Sequence, residues 1–252
     1  MHENPFGNTE LLAEVTPRQG LRMRTLVAAV LIVAVIPLVI AAGILFLNDR
    51  SYYLVSMTIL TCTMLPFVLV FEDRKPQARE LVVIAVLVAI AVAGRSAFFW
   101  LPQFKPVVAI VIIAGVCLGG EAGFLVGAMT GFVSNFFFGQ GPWTPWQMFS
   151  FGIIGFLAGI LYQKGCLKKK PVSLMIFGAI TTVCIYGGLM NLSYLLMYGS
   201  AITYKTTLAV YASGLPFDLV HAFSTVVFLA FIAKPMMEKL DRIKMKYGLI
   251  AP

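Results

Sequence analysis

The sequence predicts an all-α integral membrane protein, a six-helix bundle preceded by an extra two-helix transmembrane hairpin. Composition is the first reason. Hydrophobic residues make up 60% of the 252 and charged residues 12%, against about 25% charged in an average soluble domain, and the mean hydropathy is +0.90. The second reason is segmentation. A helix needs about 20 apolar residues to cross about 30 Å of hydrocarbon, and that ruler finds eight apolar segments. The third is the placement of Lys and Arg, which sorts the connections into two sides of a membrane.

The eight segments are 25–47, 52–71, 81–101, 106–119, 121–138, 145–163, 171–199 and 208–234. The first is too long for the apolar core of a secretory signal and follows a mostly polar stretch, so it is expected to stay as a helix. The fourth is short for a full crossing. With the N-terminus in the cytoplasm and eight crossings, the inner side holds Arg18, Arg22, Arg24, Arg74, Lys75, Arg79, Lys164, Lys168, Lys169, Lys170, Lys234, Lys239, Arg242, Lys244 and Lys246. The outer side holds only Arg50, Lys105 and Lys205. This bias places both termini inside. It also explains the net charge of +8 as topology, so no nucleic-acid partner is implied. The charged stretch Glu72–Glu80 separates an N-terminal hairpin and linker, 1–80, from a membrane domain, 81–252, that holds nearly all the Gly and polar features.

Gly115, Gly119, Gly123, Gly127 and Gly131 recur every four residues, and Gly155 and Gly159 repeat the spacing. Small residues at that interval let membrane helices approach closely. The run passes through Leu118-Gly119-Gly120-Glu121, a tight turn, so the column is shared by two helices. Ala85, Ala89 and Ala93 form a second four-residue stripe, a flat strip suited to a partner helix.

Residues 134–147 read Ser-Asn-Phe-Phe-Phe-Gly-Gln-Gly-Pro-Trp-Thr-Pro-Trp-Gln. Between two apolar segments, this string packs five rings, including Trp143 and Trp146, with the amides of Asn135, Gln140 and Gln147. Trp belongs to membrane interfaces in any case, but rings and amides on a fixed backbone also suit a flat, partly polar small molecule. Arg95 to Lys105 again combines rings, Phe99 among them, with cations at the same face. Asn191 and Tyr211 add polar and aromatic groups there, so the ends of several helices point to one outward pocket.

Arg95, Asp218 and His221 fall inside apolar segments, where a charge costs about 2.5–3.5 kcal/mol on insertion scales. At 1.5 Å rise per residue Arg95 and Asp218 differ in depth by roughly 6 Å, so an Arg95–Asp218 pair beneath the pocket is expected. His221 lies three residues on, on the same helix face. No nucleophile has a paired His, no acid pair or His-x-x-His lies on a helix, and no phosphate loop occurs. Neither enzymatic chemistry nor a metal site nor a cofactor is indicated, and the four scattered cysteines signal neither zinc nor a disulfide framework.

Three features together resemble the substrate-binding (S) components of energy-coupling factor (ECF) transporters for vitamins and related micronutrients. These are the stripe Ala85-x-x-x-Ala89-x-x-x-Ala93, the turn Leu118-Gly119-Gly120-Glu121-Ala122-Gly123-Phe124-Leu125-Val126-Gly127-Ala128, and the string from Ser134 to Gln147. The resemblance covers about 81 to 163; beyond it only hydropathy agrees. It implies a plasma-membrane subunit that binds a small-molecule micronutrient in an outward pocket. Such a subunit docks through its alanine stripe onto a membrane scaffold (T) component carrying two cytoplasmic ATPases, then topples in the lipid. The string also resembles the cobalamin-pathway branch, which implies cobalamin or its benzimidazole precursor as substrate. Glu121 departs from the family pattern, and the hairpin is an addition. Two other classes remain open from the residues alone. One is an ion- or proton-coupled carrier using Arg95, Asp218 and His221, although no inverted repeat is visible. The other is a non-transporting membrane scaffold.

Overall fold

The computed structural model describes residues 78–198 and 203–247, with positions 30, 34 and 38 before them. The expected N-terminal hairpin lies outside these residues, apart from those three positions. Every element described is helical. In order they are α1 (Ala78–Ala97), α2 (Val107–Leu118), α3 (Gly120–Phe138) and α4 (Thr144–Gln163). There follows one continuous span made of α5 (Pro171–Thr181), a π-helical turn (Thr182–Gly187) and α6 (Gly188–Tyr198), and then α7 (Tyr204–Tyr247). Five of these runs are long and apolar enough to cross a membrane, and α2 is a sixth, shorter apolar helix.

The middle of the bundle is α2. Twelve residues rise only about 18 Å, and all twelve are buried. A helix wrapped on every side by α1, α3, α4, α5 and α7 faces no lipid, so it need not match the hydrocarbon thickness. Its composition, continuously apolar with no polar face, is that of a helix buried all round.

The glycine column sits where α2, α3 and α4 meet. A Cβ built on Gly115 would lie 2.1 Å from the Gly155 carbonyl oxygen, one on Gly155 2.4 Å from the Gly123 oxygen, and one on Gly159 2.3 Å from the Gly120 nitrogen. The backbones therefore touch, as the four-residue spacing predicts. The turn between α2 and α3 is the single residue Gly119, whose φ of 99° suits glycine alone. A second apolar cluster joins α3 to α4 through Phe124, Ala128, Trp146, Phe149, Ile153 and Phe156, and α6 covers it with Leu189, Leu192 and Leu196.

The last helix differs from expectation. The apolar run ends near 234, but α7 continues to Tyr247, 44 residues in all. The continuation stays ordered because its polar side chains find partners on the bundle. Lys244 Nζ donates to the Cys117 carbonyl at 2.7 Å, taking up one of the free carbonyls at the end of α2. Lys169, from the α4–α5 loop, donates to Asp241 at 2.5 and 2.7 Å.

Adding one methyl at the glycine seam should be costly in proportion to backbone contact. Gly115→Ala is expected to destabilise the protein by about 1–3 kcal/mol or more, because the neighbour is backbone and cannot rotate away. Gly188→Ala, at a helical position with open space around it, should fall within about 0.5 kcal/mol of wild type. Unfolding in detergent measures both, and equal effects would show that the seam is loose.

Candidate functional site

At the end of the bundle opposite the Gly119 turn lies a cavity of about 240 Å³. Its wall is made by Arg95 from α1, Phe99, Pro102, Gln103 and Lys105 from the α1–α2 loop, Val107, Phe138 from α3, Gln147 and Phe151 from α4, Tyr186 from the π turn, and His221 from α7.

Arg95 lies in the last turn of α1, which packs on α3. Its Nη1 donates to Ser134 Oγ and, at 2.9 Å, to Asn135 Oδ1. Its guanidinium carbon stands 4.3 Å from the centre of the Phe138 ring, a cation–π contact. Lys105 folds back onto the end of α1. Its ammonium donates to the carbonyls of Phe98, Leu101 (2.8 Å) and Phe99 (3.3 Å), a cation on the negative end of a helix. Burial, and next the charge of Arg95 nearby, hold the Lys105 ammonium below its ordinary pKa. The loop is tied to α7 by Ser224 Oγ, which donates to the Lys105 carbonyl at 2.9 Å. Gln103, on the wall, has φ of 57°, a left-handed conformation uncommon for a residue with a side chain.

The floor is polar and buried. Gln147 is 6% exposed and His221 2%. Gln147 Nε2 donates to the Tyr186 hydroxyl at 2.9 Å. Its Oε1 has no partner, and neither has either ring nitrogen of His221. The Tyr186 ring stacks on Phe151 with centroids 4.8 Å apart, and His221 meets it edge-on at 4.6 Å. Buried polar atoms are almost always hydrogen-bonded, and three without partners around one cavity need an explanation.

Five of the twelve residues expected at a binding site, Arg95, Phe99, Lys105, Gln147 and His221, come together on this wall. The other seven do not line it. Asn135 and Gln140 serve the five-residue turn between α3 and α4. Asn135 Nδ2 donates to Thr144 Oγ1 (3.0 Å), Thr144 Oγ1 donates to Gln140 Oε1 (2.9 Å), and Gln140 Nε2 donates to the Phe132 carbonyl (3.0 Å). These bonds tie the end of α3 to the start of α4, and Thr144 Oγ1 also accepts from the Gly141 N–H of the turn at 3.2 Å. Trp143 packs its ring against Gly141. Trp146 is 4% exposed, inside the α3–α4 apolar cluster. Phe136 and Phe137 point away from the bundle, so most of the aromatic string faces outward or inward to packing rather than to the cavity.

The expected Arg95–Asp218 pair does not form. Asp218 lies on the flank of α7 that faces α6, where it accepts from Asn191 Nδ2 at 2.8 Å. Its carboxylate abuts Gly187, where a Cβ would lie 2.5 Å from its Cγ. Tyr211 belongs to the same flank, its hydroxyl donating to the Gly188 carbonyl at 2.9 Å. Depth along the membrane normal places the two charges within roughly 6 Å of each other, but it does not say which helices are neighbours. Phe138, one of the five rings of the string 134–147, is on the wall, and Pro102, Gln103, Val107, Phe151 and Tyr186 complete it without having been expected there. A hydroxyl in the middle of an apolar span was the one sequence signal for Tyr186.

A helical membrane bundle with a small polar and aromatic cavity let into one end has the build of a membrane-embedded binding protein. Comparison with known proteins makes this specific. The sequence model described as ECF transporter, substrate-specific component, matches residues 79–233, more than half of the chain. A UPF0397 protein from Vibrio atlanticus is 31% identical over 150 residues, which are 54% of this chain and 82% of that one. UPF0397 proteins from Aliivibrio fischeri (strain MJ11) and Aliivibrio salmonicida are 35% and 32% identical over 119 and 105 residues, 41% and 40% of this chain and 64% and 55% of theirs. No solved structure matches. The chain belongs to the family of substrate-specific components of ECF transporters. Members are substrate-binding transport subunits rather than enzymes, multi-pass in the plasma membrane, and they work with T and ATPase components.

The Gln147–Tyr186 bond makes a direct prediction. Tyr186→Phe leaves the buried Gln147 amide without its acceptor and should cost about 1–3 kcal/mol. Gln147→Leu in that background removes the stranded group and should recover part of the loss. Thermal unfolding of the two variants checks this, and an additive second loss would break the assignment.

Proposed function

We propose that this subunit captures a small, flat, partly polar heteroaromatic micronutrient in the cavity walled by Arg95, Phe99, Lys105, Phe138, Gln147, Phe151, Tyr186 and His221. The observation that carries the reading is the polar floor. Gln147 and His221 are buried with unpartnered atoms at the cavity, and they lie beside the stacked rings of Phe151 and Tyr186. Such a site has ring faces for a flat molecule and edge groups to orient it. Within the cobalamin pathway suggested by residues 134–147, the volume favours a benzimidazole precursor. About 240 Å³ falls below the usual ligand-pocket range of about 300–1,000 Å³, and an intact corrinoid is far too large for it.

The cavity faces outward in this reading, with both termini cytoplasmic, because the opposite end carries Lys164, Lys168, Lys169, Lys170 and the basic end of α7. Residues 81–252 form the binding unit and 1–80 an appended hairpin. Ala85, Ala89 and Ala93 dock onto the T component. All three are exposed on α1, amid the exposed apolar side chains of Val82, Val86 and Ile90, so the strip is flat, apolar and free to meet another helix.

Two measurements test this. Thermal unfolding of the purified chain against vitamins, cobalamin, benzimidazoles and modified purines should show a concentration-dependent rise of several degrees with a small heteroaromatic compound, since a ligand stabilises the state that holds it. Ala89→Trp should leave that shift intact and abolish ATP-dependent uptake when the T and ATPase components are present. Uptake that survives without the ATPases would overturn the reading and point to an ion-coupled carrier.

A further inference from the structure

We infer that the ligand of this cavity is an anion, a heteroaromatic carboxylate that sets its carboxylate against Arg95 and Lys105 and its ring nitrogen edge against Gln147 and His221. This rests on the cavity being the binding site and specifies the charge and polarity of what enters it.

The argument starts from charge balance. Of the residues that line the cavity, two are cations and none is Asp or Glu. Arg95 spends its Nη1 on a hydroxyl and an amide oxygen and its face on a phenyl ring, all neutral. Lys105 spends its protons on backbone carbonyls. The carboxylate expected to balance Arg95, Asp218, is held by Asn191 and is not on the wall. Taking a cation out of water is costly unless an opposite charge joins it, and this bears on the half-buried Arg95 more than on the more open Lys105. Two cations share this wall with no acid among the described residues. The guanidinium has five donors, and Nε and Nη2 reach no side-chain acceptor among the described residues. A carboxylate fits that planar fork in a bidentate manner.

The opposite pole fixes the rest of the ligand. Gln147 Oε1 needs a donor. A neutral imidazole offers one donor and one acceptor, and both His221 nitrogens are free. A ring carrying N–H and N on one edge can donate to Gln147 Oε1 and pair with one nitrogen of His221. Between these poles the wall is aromatic, with Phe99 packed on Phe138 and Phe151 stacked on Tyr186.

A matched series of probes tests the charge separately from the site: benzimidazole, benzimidazole-5-carboxylate and benzimidazole-5-carboxamide, with inorganic phosphate as a fourth. Thermal unfolding of the full chain in a neutral detergent gives an apparent affinity for each. The carboxylate is expected to raise Tm by several degrees and to bind about tenfold or more tightly than the carboxamide, the gain of one charge-assisted pair. Arg95→Gln should erase the difference. Because Arg95 also holds Ser134 and Asn135, Lys105→Gln serves as the second variant and should narrow it. If the carboxamide or the parent ring binds as well as the carboxylate, the anion is wrong and the cavity stands as a site for a neutral ring. An equal shift with inorganic phosphate overturns the carboxylate in favour of a simple anion site. Silence from all four overturns the inference, and the micronutrient panel then decides separately whether the cavity binds anything.

Discussion

The contact on which this structure depends is the meeting of bare backbones at Gly115, Gly123, Gly155 and Gly159. In lipid, the tails are as apolar as the side chains, so burying leucine against leucine gives little net drive for helices to associate. Close approach must supply the attraction through dispersion, which falls off within a fraction of an ångström. The glycines allow that approach and draw α2, α3 and α4 into one rigid unit. At the other end of these helices Val107, Phe138, Gln147 and Phe151 line the cavity, while Gly127 and Gly131 keep α3 against Phe151 and Met148 of α4. The seam therefore fixes where the side chains of the site stand.

Much of this was legible in the sequence because membrane helices announce themselves by composition and small residues by spacing. The apolar segments 106–119, 121–138 and 145–163 agree with α2, α3 and α4 to within two residues at each end. The turn at Gly119 and the shared glycine column follow from the same pattern. The hydropathy ruler misjudged two things. It measures where apolar residues end, not where hydrogen bonding ends, so it stopped α7 at 234 while Lys244 and Asp241 carry the helix onward by capping and pairing with the bundle. It also measures depth and nothing lateral. Arg95 and Asp218 differ by only roughly 6 Å in depth but have different neighbours, so each took an amide from another helix, Asn135 or Asn191, instead of the other.

The site was less legible than the fold for a related reason. Aromatic and amide residues were concentrated in one loop, and concentration suggested a binding loop. A five-residue turn between two long helices has its own hydrogen-bond needs, and Asn135, Gln140 and Thr144 meet them before any ligand is considered. The residues left for the cavity are those whose polar atoms local structure does not consume, namely Gln147 and His221 on the floor and part of Arg95. Counting polar groups in a sequence does not distinguish a satisfied amide from a free one.

The π turn at Thr182–Gly187 carries the last step. A π turn admits one extra residue into a helix and shifts the faces on either side of it, which is why such turns gather at functional positions. At its start, Thr182 donates its hydroxyl to the Gly178 carbonyl at 2.6 Å and lies 3.2 Å from the Thr225 hydroxyl, which sets the turn against α7. Within it, Tyr186 swings to the cavity and Gly187 yields room to the Asp218 carboxylate. After it, the Gly188 carbonyl and Asn191 hold Tyr211 and Asp218. Two neighbouring residues of the turn thus face different groups, Tyr186 the cavity and Gly187 the Asp218 carboxylate. Asp218 is kept on the α6 flank, tied to an amide, and Tyr186 is turned to the floor beside Gln147 and His221. With Asp218 held by Asn191 and off the wall, the charged residues that line the cavity are Arg95 and Lys105.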